Sequence, residues 1–165
     1  MALANIAILL ATWGKRVLVV DWDLEAPGVE HFFFTSSREL AAAKRKPGLI
    51  DLLTDASEKS SSDLQESAWK SLIIEIEVLD SKSKISLLTA GARNDDKYFK
   101  KVRNLDVKSF YEDKNGGYII EILRNAWRSN FDFVLVDSRT GITDIGGICT
   151  IQLPDALAIV FTATR

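Results

Sequence analysis

The stretch Arg16-Val17-Leu18-Val19-Val20-Asp21-Trp22-Asp23 constrains the fold more than any other part of the chain. Four consecutive apolar residues, three of them β-branched, leave no polar side to face water. The run is short, passes at once into carboxylates, and meets the breaker Pro27-Gly28 soon after. It therefore reads as a strand covered on both faces, the kind found in parallel sheets between helices. Its acidic end marks the sheet edge where such folds bind ligands.

The flanking segments agree. Residues 1–13 (MALANIAILLATW) are apolar, but carry no basic residue ahead of the run and no small-residue cleavage pattern after it. They are too short for a membrane span, which takes about 20 residues. They read as a buried helix stopped by Gly14, with Lys15 and Arg16 beyond. No cap or lead-in strand precedes this helix, as in a chain cut just upstream. A weaker helical stretch follows Pro27-Gly28, then Pro47-Gly48 and a short apolar segment at 49–53. Residues 57–62 (SEKSSS) look like a linker, with a helix expected around 63–72.

Ile74, Ile76 and Val78 alternate with Glu75 and Glu77, and a second strand is predicted at 85–89, so a hairpin at a sheet edge is expected. Residues 91–117 are polar and irregular, with Tyr98, Phe99, Phe110 and Tyr111 as anchors. Ile119, Ile122, Leu123, Ala126 and Trp127 recur at helical spacing. Residues 131–136 form another apolar run ending in Asp137, and 156–162 (ALAIVFT) form a third buried-strand candidate. Helices alternating with apolar strands give an α/β fold with a mainly parallel sheet.

Composition narrows the function classes. The 165 residues are 47% hydrophobic and 27% charged, the balance of one globular domain rather than a disordered chain. Lys+Arg 21 against Asp+Glu 23 gives a net charge of −2, which supplies no general drive toward nucleic acid or anionic membrane. A single cysteine, Cys149, excludes an internal disulfide framework and a cysteine-cluster metal site, and fits a reducing, cytoplasmic location.

Two of the three strand candidates end in aspartate, which puts Asp21, Asp23 and Asp137 on one edge. Strand-end carboxylates can simply cap a helix or pair with a lysine. Three converging like charges raise each other's pKa unless a cation intervenes. Oxygen donors without histidine or cysteine suit Mg²⁺, and Mg²⁺ at strand-end aspartates points to phosphoryl transfer. The string Phe131-Asp132-Phe133-Val134-Leu135-Val136-Asp137-Ser138-Arg139-Thr140-Gly141 has the form of a Walker B strand entering a switch loop, or of a strand with a Gly-rich connection.

Several strings together resemble the ParA/MinD group of P-loop ATPases: MALANIA at 1–7, GKRVLVVDWDLEAPG at 14–28, LLTAG at 87–91, DSRTG at 137–141 and CTIQLPD at 149–155. The similarity is to the bacterial branch whose P-loop reads KGGxGR[ST] directly before MALAN, and it spans nearly the whole chain. It implies a P-loop NTPase fold with helices on both faces of the sheet. It also implies a role for each matching residue. Asp23 corresponds to the switch I aspartate that positions the attacking water, and Asp21 to its partner near Mg²⁺ and ATP. Asp137 corresponds to the Walker B aspartate that holds Mg²⁺ through water. Ser138 to Gly141 correspond to switch II, which senses the γ-phosphate. Members of this family hydrolyse ATP and use it to form homodimers that engage DNA, membrane or partner proteins; the partner of this chain is unidentified.

The sequence also departs from the family. The phosphate-cradling P-loop and its lead-in strand are expected before Met1, and an adenine-contacting segment after Arg165. No GxxxxGK[ST] pattern occurs within the chain. The resemblance thus makes residues 1–165 a single partial ATPase domain, truncated at both ends. Two other readings stand beside it. One is a non-catalytic interaction module derived from such an ATPase. The other is a haloacid-dehalogenase-like phosphatase with Asp21 as nucleophile, although Glu25 stands where that motif carries Thr or Val. His31, Trp22 and Cys149 read as packing or surface residues. The cluster Lys97, Lys100, Lys101 and Arg103 reads as a solvated face or a contact surface.

Overall fold

Strand β1 (Val17–Asp21) is interior to the sheet, as its unbroken apolar run requires, and all five of its residues are buried. The computed structural model describes residues 2–58, 66–78, 83–93, 96–138 and 147–160. Three further strands complete the sheet: β2 (Ile74–Glu77), β3 (Lys84–Leu88) and β4 (Phe133–Asp137), in the order β2-β3-β1-β4. β1 runs parallel to both β3 and β4. The hairpin expected between 74 and 89 is present, with β2 antiparallel to β3 at the edge; its connecting residues 79–82 lie outside the described residues.

Alternation along β1 sends successive side chains to opposite faces, and each face has its own core. Val17 and Val19 join Ile85 and Leu87 under helix α1 (Ala2–Thr12), which contributes Ala7, Leu10 and Ala11. Leu18, Val20 and Leu88 face the other way. There they meet Leu49, Ile50 and Leu53 of α3 (Leu49–Glu58) and Ile119, Ile120, Leu123 and Trp127 of α7 (Gly116–Asn130). Helices therefore cover both faces, as expected. Shorter helices α2 (Ser37–Ala43), α4 (Glu66–Lys70), α5 (Lys97–Asn104) and α6 (Val107–Asp113) fill the remaining connections.

Helix ends obey local chemistry. Gly14, with φ of +76°, stops α1 while its own N–H and that of Lys15 satisfy the carbonyls of Ala11 and Leu10. The Ser36 hydroxyl accepts the Arg38 N–H at the start of α2, and the Asp106 carboxylate accepts from Lys108 and Ser109 at the start of α6. The first amides of α3 are satisfied differently. Leu49 and Ile50 donate to the carbonyls of Thr89 and Ala90, which fastens the helix to the segment leaving β3.

Three expectations need correction, and one segment left without an assignment gains one. Helix α1 is not buried all round: Ala4, Ala7, Leu10 and Ala11 face the sheet, while Ile6, Leu9 and Trp13 lie exposed on the opposite stripe. The short apolar segment at 49–53 is the start of a ten-residue helix. The stretch 91–117 is not irregular throughout, because it contains α5, α6 and the start of α7; helices this short show barely two turns of periodicity. Residues 156–160 form no strand, and Ile159 and Val160 are 77% and 79% exposed. A parallel strand needs a paired neighbour and cover on both faces, and apolar composition alone provides neither. Residues 161 and 162 of that expected strand lie outside the described residues.

Candidate functional site

Parallel pairing of β1 with β4 sets Asp21 directly opposite Asp137 at the carboxyl ends of the two strands. Past this point the backbones stay joined, the Trp22 N–H donating to the Asp137 carbonyl at 2.8 Å. Asp23 follows two residues after Asp21, between Trp22 and Leu24, whose side chains are both buried in the core beneath α3 and α7. The three aspartates expected to share one sheet edge therefore do so. Ser138 continues from Asp137 and is half-buried. Gly141, like Arg139 and Thr140, lies outside the described residues.

Asp21 is wholly buried. Its Oδ2 accepts the Gly28 N–H at 3.0 Å and the Val29 N–H at 3.3 Å, which folds the loop after β1 back onto the strand end. Its Oδ1 has no hydrogen-bond partner. Burial drives the carboxyl pKa up from 3.8 to about 7; the two amides oppose this, and the negative charges of Glu30 and Asp137 add to it. Asp137 is raised to about 6, by burial first and by the charge of Asp23 second. Asp23 itself accepts the Ala26 N–H at 3.2 Å within its own loop.

Two groups that sequence reasoning passed over complete the surroundings. Glu30, in a short 3₁₀ turn (Val29–Phe32), is fully buried and accepts a hydrogen bond from the Arg93 guanidinium at 2.5 Å. His31 Nε2 lies 3.9 Å from the same carboxylate and is half exposed. The only available signal was a glutamate set among Val29, Phe32, Phe33 and Phe34, a charge with nowhere polar to go. Tyr98, expected as an apolar anchor, is also a donor: its hydroxyl reaches the Leu24 carbonyl at 2.7 Å. Burial raises the Tyr98 pKa above its usual value, so the phenol stays protonated. Gly91, at φ +147°, leaves room for this ring; a Cβ there would lie 2.6 Å from Ile50 Cγ2 and 3.2 Å from Tyr98 Cε2.

The donors at this edge are carboxylate oxygens, the type Mg²⁺ takes. Among the described residues no group of three or more ligating side chains is gathered tightly enough to cage a metal. Mg²⁺ does not ask for one: it keeps several waters and takes one or two carboxylates plus phosphate oxygens. A half-buried Asp137 with a raised pKa, beside an Asp21 oxygen without a partner, is an excess of negative charge that a cation relieves. Other residues are structural. Cys149 is buried, its thiol pushed up to about 12 by burial. Lys101 pairs with Asp51 at 2.6 Å, tying α5 to α3. No helix among the described residues is long and apolar enough to cross a membrane.

No family model and no curated protein matches the chain. Solved structures do match. The chimerical protein CapA2B2 superposes with a TM-score of 0.54 at 19% identity, over 91% of this chain and 51% of that one. The VpsO kinase domain gives 0.53 at 19% identity, over 90% and 57%. A pNOB8 ParA structure agrees more loosely, at 0.45 and 17% identity over 84% and 42%, too loosely to argue from. The chain spans about half the length of the structures it matches. At such identities the likeness is one of fold alone: a mainly parallel sheet flanked by helices, as the sequence led us to expect.

Proposed function

We propose that the chain is part of a ParA/MinD-like ATPase, and that in the complete protein Mg²⁺-dependent ATP hydrolysis at the Asp21–Asp23–Asp137 edge switches a homodimer and its contact with a protein partner. The observation that carries this reading is the register placing Asp21 opposite Asp137 at the ligand-binding end of the sheet, with Asp23 just beyond. Bound there, Mg²⁺ supplies neutralisation of charge on the transferring phosphoryl group. Asp137 would hold the ion through water. Asp23 orients the attacking water. Asp21 pins residues 28 and 29 and so shapes the loop that carries Asp23. Ser138 and Gly141 respond to the γ-phosphate. The phosphate cradle is assigned to residues outside these 165, because no GxxxxGK[ST] pattern occurs within them. Contact with DNA or membrane has no support from the net charge of −2.

Two alternatives are separable. One, suggested by a fold neighbour that is a kinase domain, is phosphoryl transfer to an acceptor other than water. The phosphatase reading makes Asp21 the nucleophile, and a wholly buried carboxylate committed to two amides is poorly placed to attack an ester.

The test is a steady-state assay on a protein extended by a family-type lead-in strand, P-loop and C-terminal segment. It should hydrolyse ATP only with Mg²⁺. Asp23→Ala should abolish turnover while keeping most ATP binding, since its role is realised in the transition state. Asp137→Ala should weaken metal-dependent binding as well. Hydrolysis by Asp23→Ala at the parent rate would overturn the assignment. Phosphate appearing on protein rather than in solution would select the kinase reading. Phosphate-monoester cleavage by the unextended chain, lost in Asp21→Ala, would select the phosphatase. Calorimetry on the unextended chain should show weak or no Mg²⁺-ATP binding.

A further inference from the structure

We propose that Tyr98 is a positioning residue for Asp23, acting through the Leu24 carbonyl; the proposal rests on the ATPase reading above. The loop after β1 leaves Asp23 between two buried side chains, Trp22 and Leu24. The Trp22 and Leu24 N–H groups donate to the Asp137 and Trp22 carbonyls, which fixes the peptide before each residue but not the Leu24–Glu25 peptide that follows. The Leu24 carbonyl belongs to the peptide linking Leu24 to Glu25. One residue further on, the Ala26 N–H donates to Asp23 Oδ1. Tyr98 donates to that Leu24 carbonyl across 74 residues of sequence. The chain of contacts thus runs from the Tyr98 hydroxyl to the Leu24 carbonyl, along the backbone to Ala26, and from its N–H to the Asp23 carboxylate.

The donor is itself held firmly. Tyr98 is 1% exposed, sits in the first turn of α5, and packs edge-on against Phe99 with ring centroids 5.4 Å apart. Helix α5 is tied to α3 by Lys101–Asp51, and α3 is tied to the end of β3 through its first amides. Glu30 and Arg93 clamp the far side of the same loop, so Tyr98 secures the Asp23 end while the ion pair secures the end after Val29. A catalytic carboxylate needs placement to a fraction of an ångström, and errors of about 1 Å cost on the order of 100-fold in rate.

Tyr98→Phe removes one O–H and keeps the buried ring, so the fold survives and only the tether is lost. In the full-length protein carrying a P-loop, kcat for Mg²⁺-ATP hydrolysis should fall about 10- to 100-fold, with KM for ATP within about 2-fold of the parent. Amide hydrogen exchange should quicken at Leu24 and Ala26 and stay unchanged along β1. Tyr118→Phe, at an exposed tyrosine of α7, should leave kcat unchanged. If Asp23→Ala is inactive and Tyr98→Phe matches the parent in both kcat and exchange, the inference falls and the ATPase reading stands. A fall in kcat accompanied by an equal rise in KM and faster exchange along β1 would mark Tyr98 as merely structural, and also overturns the proposal. A parent protein that does not hydrolyse ATP overturns the functional reading, and this inference with it.

Discussion

Replacing Asp21 by asparagine should stabilise the protein above pH 7 and destabilise it by about 1–2 kcal/mol at pH 4, where the parent carboxyl is uncharged. The Asp21 carboxyl pKa rises from 3.8 to about 7 in the fold. Between those values the folded chain keeps a proton that the unfolded chain has released, so the native state binds more protons and stability falls as pH rises. The loss begins near pH 4 and is complete once pH passes the folded value. Each tenfold change in proton affinity is worth about 1.4 kcal/mol, so ionising this buried carboxyl costs about 4 kcal/mol, an upper figure because Asp137 and Glu30 share the field. Asparagine keeps an acceptor for the Gly28 and Val29 amides and carries no charge. Its NH₂ meets the place where Asp21 Oδ1 has no partner, which costs about 1–2 kcal/mol. The expected gain at pH 8 is therefore about 2–3 kcal/mol. Urea denaturation at pH 4 and pH 8, with a chelator present, reads it directly. A variant less stable than the parent by the same margin at both pH values would refute the argument. A gain at pH 8 together with lost turnover in the extended protein would show a carboxylate kept for its chemistry at the expense of stability.

Other outcomes follow from the same packing. Arg93→Leu should cost about 3–5 kcal/mol, because it strands the buried Glu30 charge, and adding Glu30→Leu should restore most of that; chemical denaturation of the single and double variants checks it. Gly48→Ala should cost about 3 kcal/mol or more, since its Cβ would lie 2.2 Å from the Thr89 carbonyl oxygen and 2.7 Å from the Gly91 nitrogen, backbone atoms that cannot step aside. Gly147→Ala meets nothing within 4 Å at a helical φ of −58°, so it should be neutral or stabilising by about 0.5–1 kcal/mol; chemical denaturation of both glycine variants checks the pair.

Some of this structure could be read one residue at a time. The apolar run before Asp21 placed β1 between neighbours, because no pattern with a wet face fits it; the run before Asp137 gave a parallel strand, β4, with the correct end residue, but among the described residues it lies at the sheet's edge and is only partly buried. The alternation at Ile74 and Ile76 gave the edge hairpin, and Gly14 gave the end of α1. Each of these signals is local: side-chain period, chain breakers, and the cost of burying a polar face. Where reading failed, the deciding term was pairing at a distance. Residues 156–160 have the composition of a strand, but lack the neighbour and the cover that would make one. Glu30 and Arg93 are 63 residues apart and Tyr98 and Leu24 are 74 apart, and nothing in either segment names the other.

What the sequence by itself determined is an α/β chain with a buried parallel strand and acidic strand ends. Hydrophobic periodicity sets which face of each element leaves water, and that choice is made within a few residues. What only the tertiary structure decided is the meaning of those acids. The register of β1 on β4 put Asp21 beside Asp137, burial then raised both carboxyls, and contacts from β3's outgoing loop and α5 set the shape of the loop holding Asp23. Desolvation and like-charge repulsion depend on distances between segments far apart in the chain, so they come into being only when the sheet closes.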